Sequence, residues 1–266
     1  MTLEILTHGR PDLPPRPPIL LVHGAWHGAW CWQENFLGWF ASRGFETRAV
    51  SLRGHGKSEG RDRLRWHRID DYVDDIAQAA QGLAVPPVVI GHSMGGYAVQ
   101  RFLARHPARA GVLLASVPVA GAWPVTARIL KRDAGALLKV LATLSLYPLM
   151  EDPRRASRLL FSDRLGHDAL MRHHSQLQDE SIAALFDMIR SNRQSVRQTT
   201  VPVAVLGGGR DVLCTPNVVR ATARAYGTDA KLFPDLGHNL MNDPDWPQVA
   251  GWIECWISGL ESRAGG

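Results

Sequence analysis

Cysteine is scarce: Cys31, Cys214 and Cys255 are the three in 266 residues. An odd number without metal-ligand spacing excludes a disulfide framework and a cysteine-based metal site. Reduced structural thiols in a cytoplasmic protein are the expectation. No apolar run approaches the roughly 20 residues that a membrane-spanning helix needs. The first residues, Met1 to His8, lack a basic region followed by an apolar core, so no secretory signal is read there. His67, His173 and His174 share no ligand spacing, and no metal or other cofactor is expected. There is no internal repeat and no low-complexity tract. Neither sign of charge dominates, with 30 Lys and Arg against 25 Asp and Glu. Nothing here calls for a nucleic-acid partner, and a monomer or homodimer is expected.

What is present is ordinary for one α/β domain: 45% hydrophobic and 21% charged residues, with a chain long enough to bury a large core. The short, continuous apolar run at 19–22 reads as a strand covered on both faces, 88–90 and 111–116 read as buried strands, and further strands are read at 47–52, 201–206 and 231–233. A short edge strand is expected at 3–7, and the proline-rich stretch 11–18 reads as a loop. Amphipathic spacing predicts a helix at 69–83 and apolar spacing one at 97–104; helices are also read near 31–42, 216–226 and 245–259, with 261–266 as a frayed tail. Strands alternating with helices argue for an α/β fold with a doubly wound, mostly parallel sheet. The alternation stops near Val117 and resumes at Val201. The helical stretch between, 119–200, is best read as a cap laid over the strand ends. Its charges are interspersed, as in Arg128, Lys131, Arg132 and Asp133, and read as a solvated outer face.

The chain is organised around Gly91-His92-Ser93-Met94-Gly95, a G-x-S-x-G motif between a β-branched run and a helical stretch. A serine forced into a sharp strand-to-helix turn needs neighbours without Cβ atoms. The turn projects the Ser93 hydroxyl beyond the sheet, and the Met94 amide points where an oxyanion would form. A serine hydroxyl also needs a base and an acid that orients the base. Asp211 lies in a glycine-rich turn directly after one predicted strand, and His238 in a Gly-His loop after the next. Strand C-termini of a parallel sheet share one edge, so the three can meet there. Asp235 and Asp243 are rival acids. His55 and His92 are read as structural.

Five motifs then stand in order: Val-His-Gly-Ala, Arg-Gly-His-Gly-Lys-Ser, Gly-His-Ser-Met-Gly-Gly, Gly-Gly-Gly-Arg-Asp and Gly-His-Asn. By these the chain resembles the α/β-hydrolase superfamily of serine hydrolases, esterase- and lipase-like, over essentially its whole length. The turn from Val22 to Trp32 further resembles that of plant methylesterases and hydroxynitrile lyases. Those lyases carry His-Thr where this chain has His23-Gly24, which disfavours lyase chemistry. The resemblance implies a core of 1–118 and 201–266, with the cap 119–200 inserted after the sixth core strand. It implies Ser93, Asp211 and His238 as nucleophile, acid and base, and the backbone N–H of Ala25 as the second oxyanion donor beside Met94. His23 is expected to brace that loop. Trp26, Leu144, Leu146, Met150, Phe161 and Phe186 are expected to line the substrate pocket. The implied activity is hydrolysis of a small-molecule carboxylic ester with a small to medium acyl or alcohol part. The same machinery would serve a thioesterase, a lactonase or a C–C hydrolase, and a non-turnover ligand receptor is the reading from another class.

Overall fold

A computed structural model describes residues 1–9, 16–132 and 134–264. Among them, seven strands form one sheet: β1 (Ile5–His8), β2 (Arg16–Val22), β3 (Phe45–Val50), β4 (Val88–His92), β5 (Ala110–Leu114), β6 (Val203–Gly208) and β7 (Ala230–Phe233). Their order is β1-β3-β2-β4-β5-β6-β7. The edge strand β1 runs antiparallel to β3, and every other pairing is parallel.

The continuous apolar runs are explained by burial on two faces. Along β2, Leu20 and Val22 point into one cluster with Val89 and Leu113. Ile19 and Leu21 point into the other, with Val88, Ile90, Val112 and Leu114. All of these side chains are fully buried, and each such burial stabilises by about 1.5–3 kcal/mol. Helices Ile69–Ala80, Met94–Phe102, Pro216–Ala225 and Trp246–Ala264 supply much of the covering layers.

Strand order reverses at β2. The chain goes outward from β2 to β3 and returns to β4 on the other side of β2. A crevice opens at such a switch point, beyond the carboxyl ends of the two central strands. The loops that leave β2 and β4 there carry Ala25 and Ser93.

Three expectations change. The proline-rich segment read as a loop to residue 18 is strand from Arg16. Its pairing slips between Arg16↔Phe45 and Ile19↔Thr47, so Pro17 and Pro18 sit in a bulge that needs no N–H from them. The rest of that loop, 11–15, lies outside the described residues. The last helix runs to Ala264, so the tail expected to fray from 261 is helical that far. Among the described residues the helical segment follows the fifth strand, β5, not a sixth core strand. It comprises Trp123–Arg132, Ala134–Thr143, Pro153–Leu160, His167–His174, Ile182–Ile189 and Arg193–Gln198, with a short 3-10 turn at Tyr147–Leu149. No helix among the described residues is long and apolar enough to cross a membrane.

Candidate active site

β4 ends at His92 and the next helix begins at Met94, so Ser93 alone makes the turn. Its φ of 51° and ψ of −114° lie outside the regions ordinary residues prefer, at a cost of order 1–3 kcal/mol. Backbone bonds impose it. The Ser93 N–H donates to Leu114 O (3.0 Å), and its carbonyl accepts from Val117 (3.1 Å) and Tyr97 (3.2 Å). The glycines permit it, since a Cβ on Gly95 would sit 2.3 Å from His23 O.

The strand-edge geometry brings the sequence-predicted trio together. His238 Nδ1 lies 2.8 Å from Asp211 Oδ2, and His238 Nε2 lies 2.9 Å from Ser93 Oγ. Asp211 Oδ1 accepts the backbone N–H groups of Leu213 (2.8 Å) and Cys214 (2.9 Å). Both carboxylate oxygens are thus engaged in a buried setting. A carboxylate at Nδ1 holds the imidazole proton there and leaves Nε2 as the acceptor facing the hydroxyl. The rival acids are elsewhere. Asp235 faces solvent beside Arg210 (3.2 Å). Asp243 accepts from Gly237 N–H (2.5 Å) and from the N–H and hydroxyl of Ser162 (3.0 and 3.1 Å). Burial raises the Asp243 pKa, opposed by those hydrogen bonds.

The loop after β2 approaches from the other side. A Cβ on Gly24 would meet His92 Nδ1 at 2.6 Å and Ser93 Cβ at 2.9 Å, so this backbone lies against the serine. His23 accepts Leu52 N–H at Nε2 (3.0 Å), which leaves its Nδ1–H for Gly24 O (2.8 Å). His27 donates from Nδ1 to Ala25 O (2.6 Å) and accepts at Nε2 from the Asn239 amide (2.9 Å). Burial holds His27 at a pKa of about 4 and pushes His23 well below the usual histidine range. His92 is also lowered, first by burial, and its Nε2 meets His238 O at 3.1 Å. Trp26 has a φ of 66°, a second strained residue.

Of the predicted pocket residues, Trp26, Leu146, Met150 and Phe161 are buried in one apolar cluster with Met94. The Trp26 indole donates to Leu146 O (3.3 Å). Leu144 and Phe186 are corrections, being 49% and 64% exposed. In helix Ile182–Ile189 the buried face carries Ala184, Asp187 and Met188, which turns Phe186 outward. Leu144 follows the end of helix Ala134–Thr143 in a left-handed conformation, φ 50°, and faces solvent. A cavity of about 640 Å³ opens where Phe161 and Leu159 meet Val212, the residue after Asp211, with Arg155, Arg158 and Arg210 also on its wall.

Asp211, Cys214 and His238 offer ligand atoms within 4.8 Å of one another. They fit a metal poorly. Burial pushes the Cys214 thiol up, away from the thiolate a metal needs, and Asp211 and His238 spend their facing atoms on each other.

The family model described as Serine aminopeptidase, S33 (Hydrolase_4) matches residues 14–245. The chain belongs to this family. It is thereby an α/β-hydrolase of the serine hydrolase kind, in line with its sheet. A relative within reach is the monoacylglycerol lipase of Mycolicibacterium smegmatis, 26% identical over 257 residues, 93% of this chain and 90% of that one. Among solved structures, a Paleococcus ferrophilus monoacylglycerol lipase superposes with a TM-score of 0.75 at 22% identity, covering 98% of this chain and 100% of its own. An esterase from Exiguobacterium antarcticum gives 0.77 at 15% identity, with 96% and 95% covered.

Sequence reasoning missed Asn239, Gln178 and Glu180, all of which hold loops of this site. Asn239 stands in the Gly-His-Asn motif, but nothing in that motif marks its side chain as a tie between loops. Glu180 precedes the helix N-cap Ser181, whose hydroxyl accepts Ala184 N–H (3.1 Å), and nothing in its spacing marks it.

Proposed function

We propose that this family member is a cofactor-independent esterase that acts on a carboxylic ester with a small to medium acyl or alcohol part, through an acyl-enzyme. The observation that carries the reading is the pair of contacts on one imidazole, Asp211 at Nδ1 and Ser93 at Nε2. Similarity to a monoacylglycerol lipase along nearly the whole chain supports an ester as substrate.

In this reading Ser93 Oγ attacks the ester carbonyl carbon while its proton passes to His238 Nε2. Asp211 orients His238 and stabilises the imidazolium that forms. The carbonyl oxygen becomes an oxyanion held by the backbone N–H groups of Ala25 and Met94. Among the described residues neither amide donates to a protein acceptor. Collapse of the tetrahedral intermediate breaks the ester C–O bond, and His238 returns the proton to the leaving alkoxide. Water then repeats the sequence on the acyl-enzyme and frees the acid. One oxyanion donor is typically worth about 2.7–4 kcal/mol of transition-state stabilisation.

Residues 119–200 act in this proposal as a cap whose inward residues Leu146, Met150 and Phe161 bound the pocket. Enclosure limits chain length, while each buried methylene adds roughly 0.8 kcal/mol until the pocket is full. The test is a series of p-nitrophenyl esters from about two to sixteen carbons, together with a thioester and a lactone. A peak in kcat/KM at short or medium acyl chains is expected. Turnover of the thioester or lactone alone would move the assignment to that class. A rate that jumps at the micellar transition, with the longest chains preferred, would overturn the enclosed pocket.

A further inference from the structure

Trp26 follows directly on Ala25 and is clamped on every polar atom by residues 146–180. Its carbonyl accepts Gln178 N–H (3.0 Å), and its N–H reaches Glu180 Oε2 at a longer 3.4 Å. The Gln178 side chain reaches past it, accepting Gly56 N–H (2.9 Å) and donating to Gly54 O (3.0 Å).

Glu180 is the centre of this clamp. It is fully buried, and its Oε1 accepts the Tyr72 hydroxyl (3.0 Å) and Ser181 N–H (2.6 Å). Its Oε2 faces His55 Nε2 at 3.0 Å, while His55 Nδ1 faces Arg53 O at 3.1 Å. Both His55 partners are acceptors, so both contacts are hydrogen bonds only when the ring carries two protons. Burial lowers the His55 pKa, but Glu180 and the bond to Arg53 O together outweigh it and the net shift is upward. Glu180 and His55 thus face each other inside the protein, one from the helical segment and one from the loop after β3.

Buried charge at this depth is costly to install, and removing one member of such a pair is strongly destabilising. Four donors converge on a side chain far along the sequence from the loop it touches. That loop is strained at Trp26. Relaxing Trp26 to a negative φ would turn the Ala25–Trp26 peptide, whose carbonyl His27 holds, and through the Ala25 dihedrals would shift the adjoining Gly24–Ala25 peptide that carries the Ala25 N–H.

We propose that Glu180 is a positioning residue for the oxyanion loop, acting through Trp26 to keep the Ala25 amide aimed at Ser93. This rests on the assignment of the Ala25 amide proposed above. It makes the cap part of the transition-state machinery as well as a lid.

The test compares wild type with Glu180→Gln, which keeps the shape but loses the charge and one acceptor. Two inhibitors of equal chain length are used: a trifluoromethyl ketone, which forms an oxyanion adduct on Ser93, and the plain methyl ketone, which reads ground-state binding. In Glu180→Gln, kcat is expected to fall about ten- to a hundredfold, short of the full loss of a donor. KM and methyl ketone affinity should stay within about twofold, because only a transition-state contact has been lost. Trifluoromethyl ketone affinity should fall by the same factor as kcat. An unchanged kcat, or a fall in kcat without the matching fall in trifluoromethyl ketone affinity, overturns the proposal. If Glu180→Gln does not fold, Tyr72→Phe removes one of the donors that fix Glu180. A smaller parallel loss of kcat and ketone affinity supports the proposal, and a loss of Tm alone overturns it. A wild-type protein that forms no adduct on Ser93 overturns the underlying catalytic reading instead.

Discussion

Asn239 donates its side-chain amide to Nε2 of His27 across 2.9 Å, and both side chains are buried. The bond joins the loop that carries His238 to the loop that carries Ala25. Replacing Asn239 with Leu keeps the branched shape and leaves His27 Nε2 without a donor. We expect a loss of about 1–3 kcal/mol in urea unfolding, the cost of a stranded buried polar group. kcat should fall with it, because the two loops lose their common strut. Equal stability of Asn239→Leu and wild type would show that the bond carries nothing.

The buried histidines set the acid limb of stability. His27 is held at a pKa of about 4, chiefly by burial, and His23 and His92 are shifted down for the same leading reason. Below about pH 6.5 the unfolded chain binds protons on these rings and the folded chain does not, so stability falls as pH drops. For His27 the loss runs from about 6.5 down to about 4 and then levels off, reaching about 3 kcal/mol. His55 has the opposite sign: its raised pKa stabilises the fold below about 6.5, and that share is lost as pH rises through its folded value. Urea unfolding of wild type and His27→Gln at pH 7 and pH 5 checks this. The variant should lose about 2 kcal/mol less between the two.

Asp211 and Asp243 should separate cleanly. Asp211→Asn can still accept from Leu213 and Cys214, so folding should survive. An amide facing His238 Nδ1 favours the wrong tautomer, however, and kcat should fall by about 10⁴. Combining it with His238→Ala should add little, since the residues work as a unit. Asp243→Asn should show itself mainly in Tm, through Gly237 and Ser162. Near-full activity in Asp211→Asn would remove it from the mechanism.

Chain-length preference should follow burial. Phe161→Ala and Leu146→Ala enlarge the interior and should shift the optimal ester towards longer chains, at about 2–5 kcal/mol in stability. Leu144→Ser and Phe186→Ser alter exposed positions and should leave the profile unchanged in the same p-nitrophenyl series. A profile moved by Phe186→Ser would place that ring back at the substrate.

Strands and the serine turn are readable because their signals are local. A short β-branched run such as Val88–Ile90 needs no partner to be recognised, and the glycines around Ser93 report a crowding that lies within a few residues. The meeting of Asp211 and His238 follows from parallel strands ending on one edge. Leu144 and Phe186 were misplaced because the inward face of a helix is chosen by what it docks against, and Leu- and Phe-rich composition is silent on that phase. Pro17 and Pro18 were missed because a bulge excuses a proline that a regular ladder forbids. Glu180 was invisible for a different reason: its partners Tyr72, His55 and Trp26 come from three separate elements, and no spacing along the chain links them.

The placement of the helical segment also dictates an order of assembly. β5 and β6 lie side by side although residues 115–202 separate them. Bringing them together costs about 4 kcal/mol in length-dependent loop-closure entropy, whereas β2, β4 and β5 are joined by shorter connections. On the ribosome the strands that present Ser93 emerge and can pair first, and β6 and β7, bearing Asp211 and His238, arrive last. Under the proposed mechanism, a nascent chain would display Ser93 before His238, the residue proposed to activate it. In that mechanism reactivity arrives only with the final strands, so chains truncated before β7 should show no esterase activity.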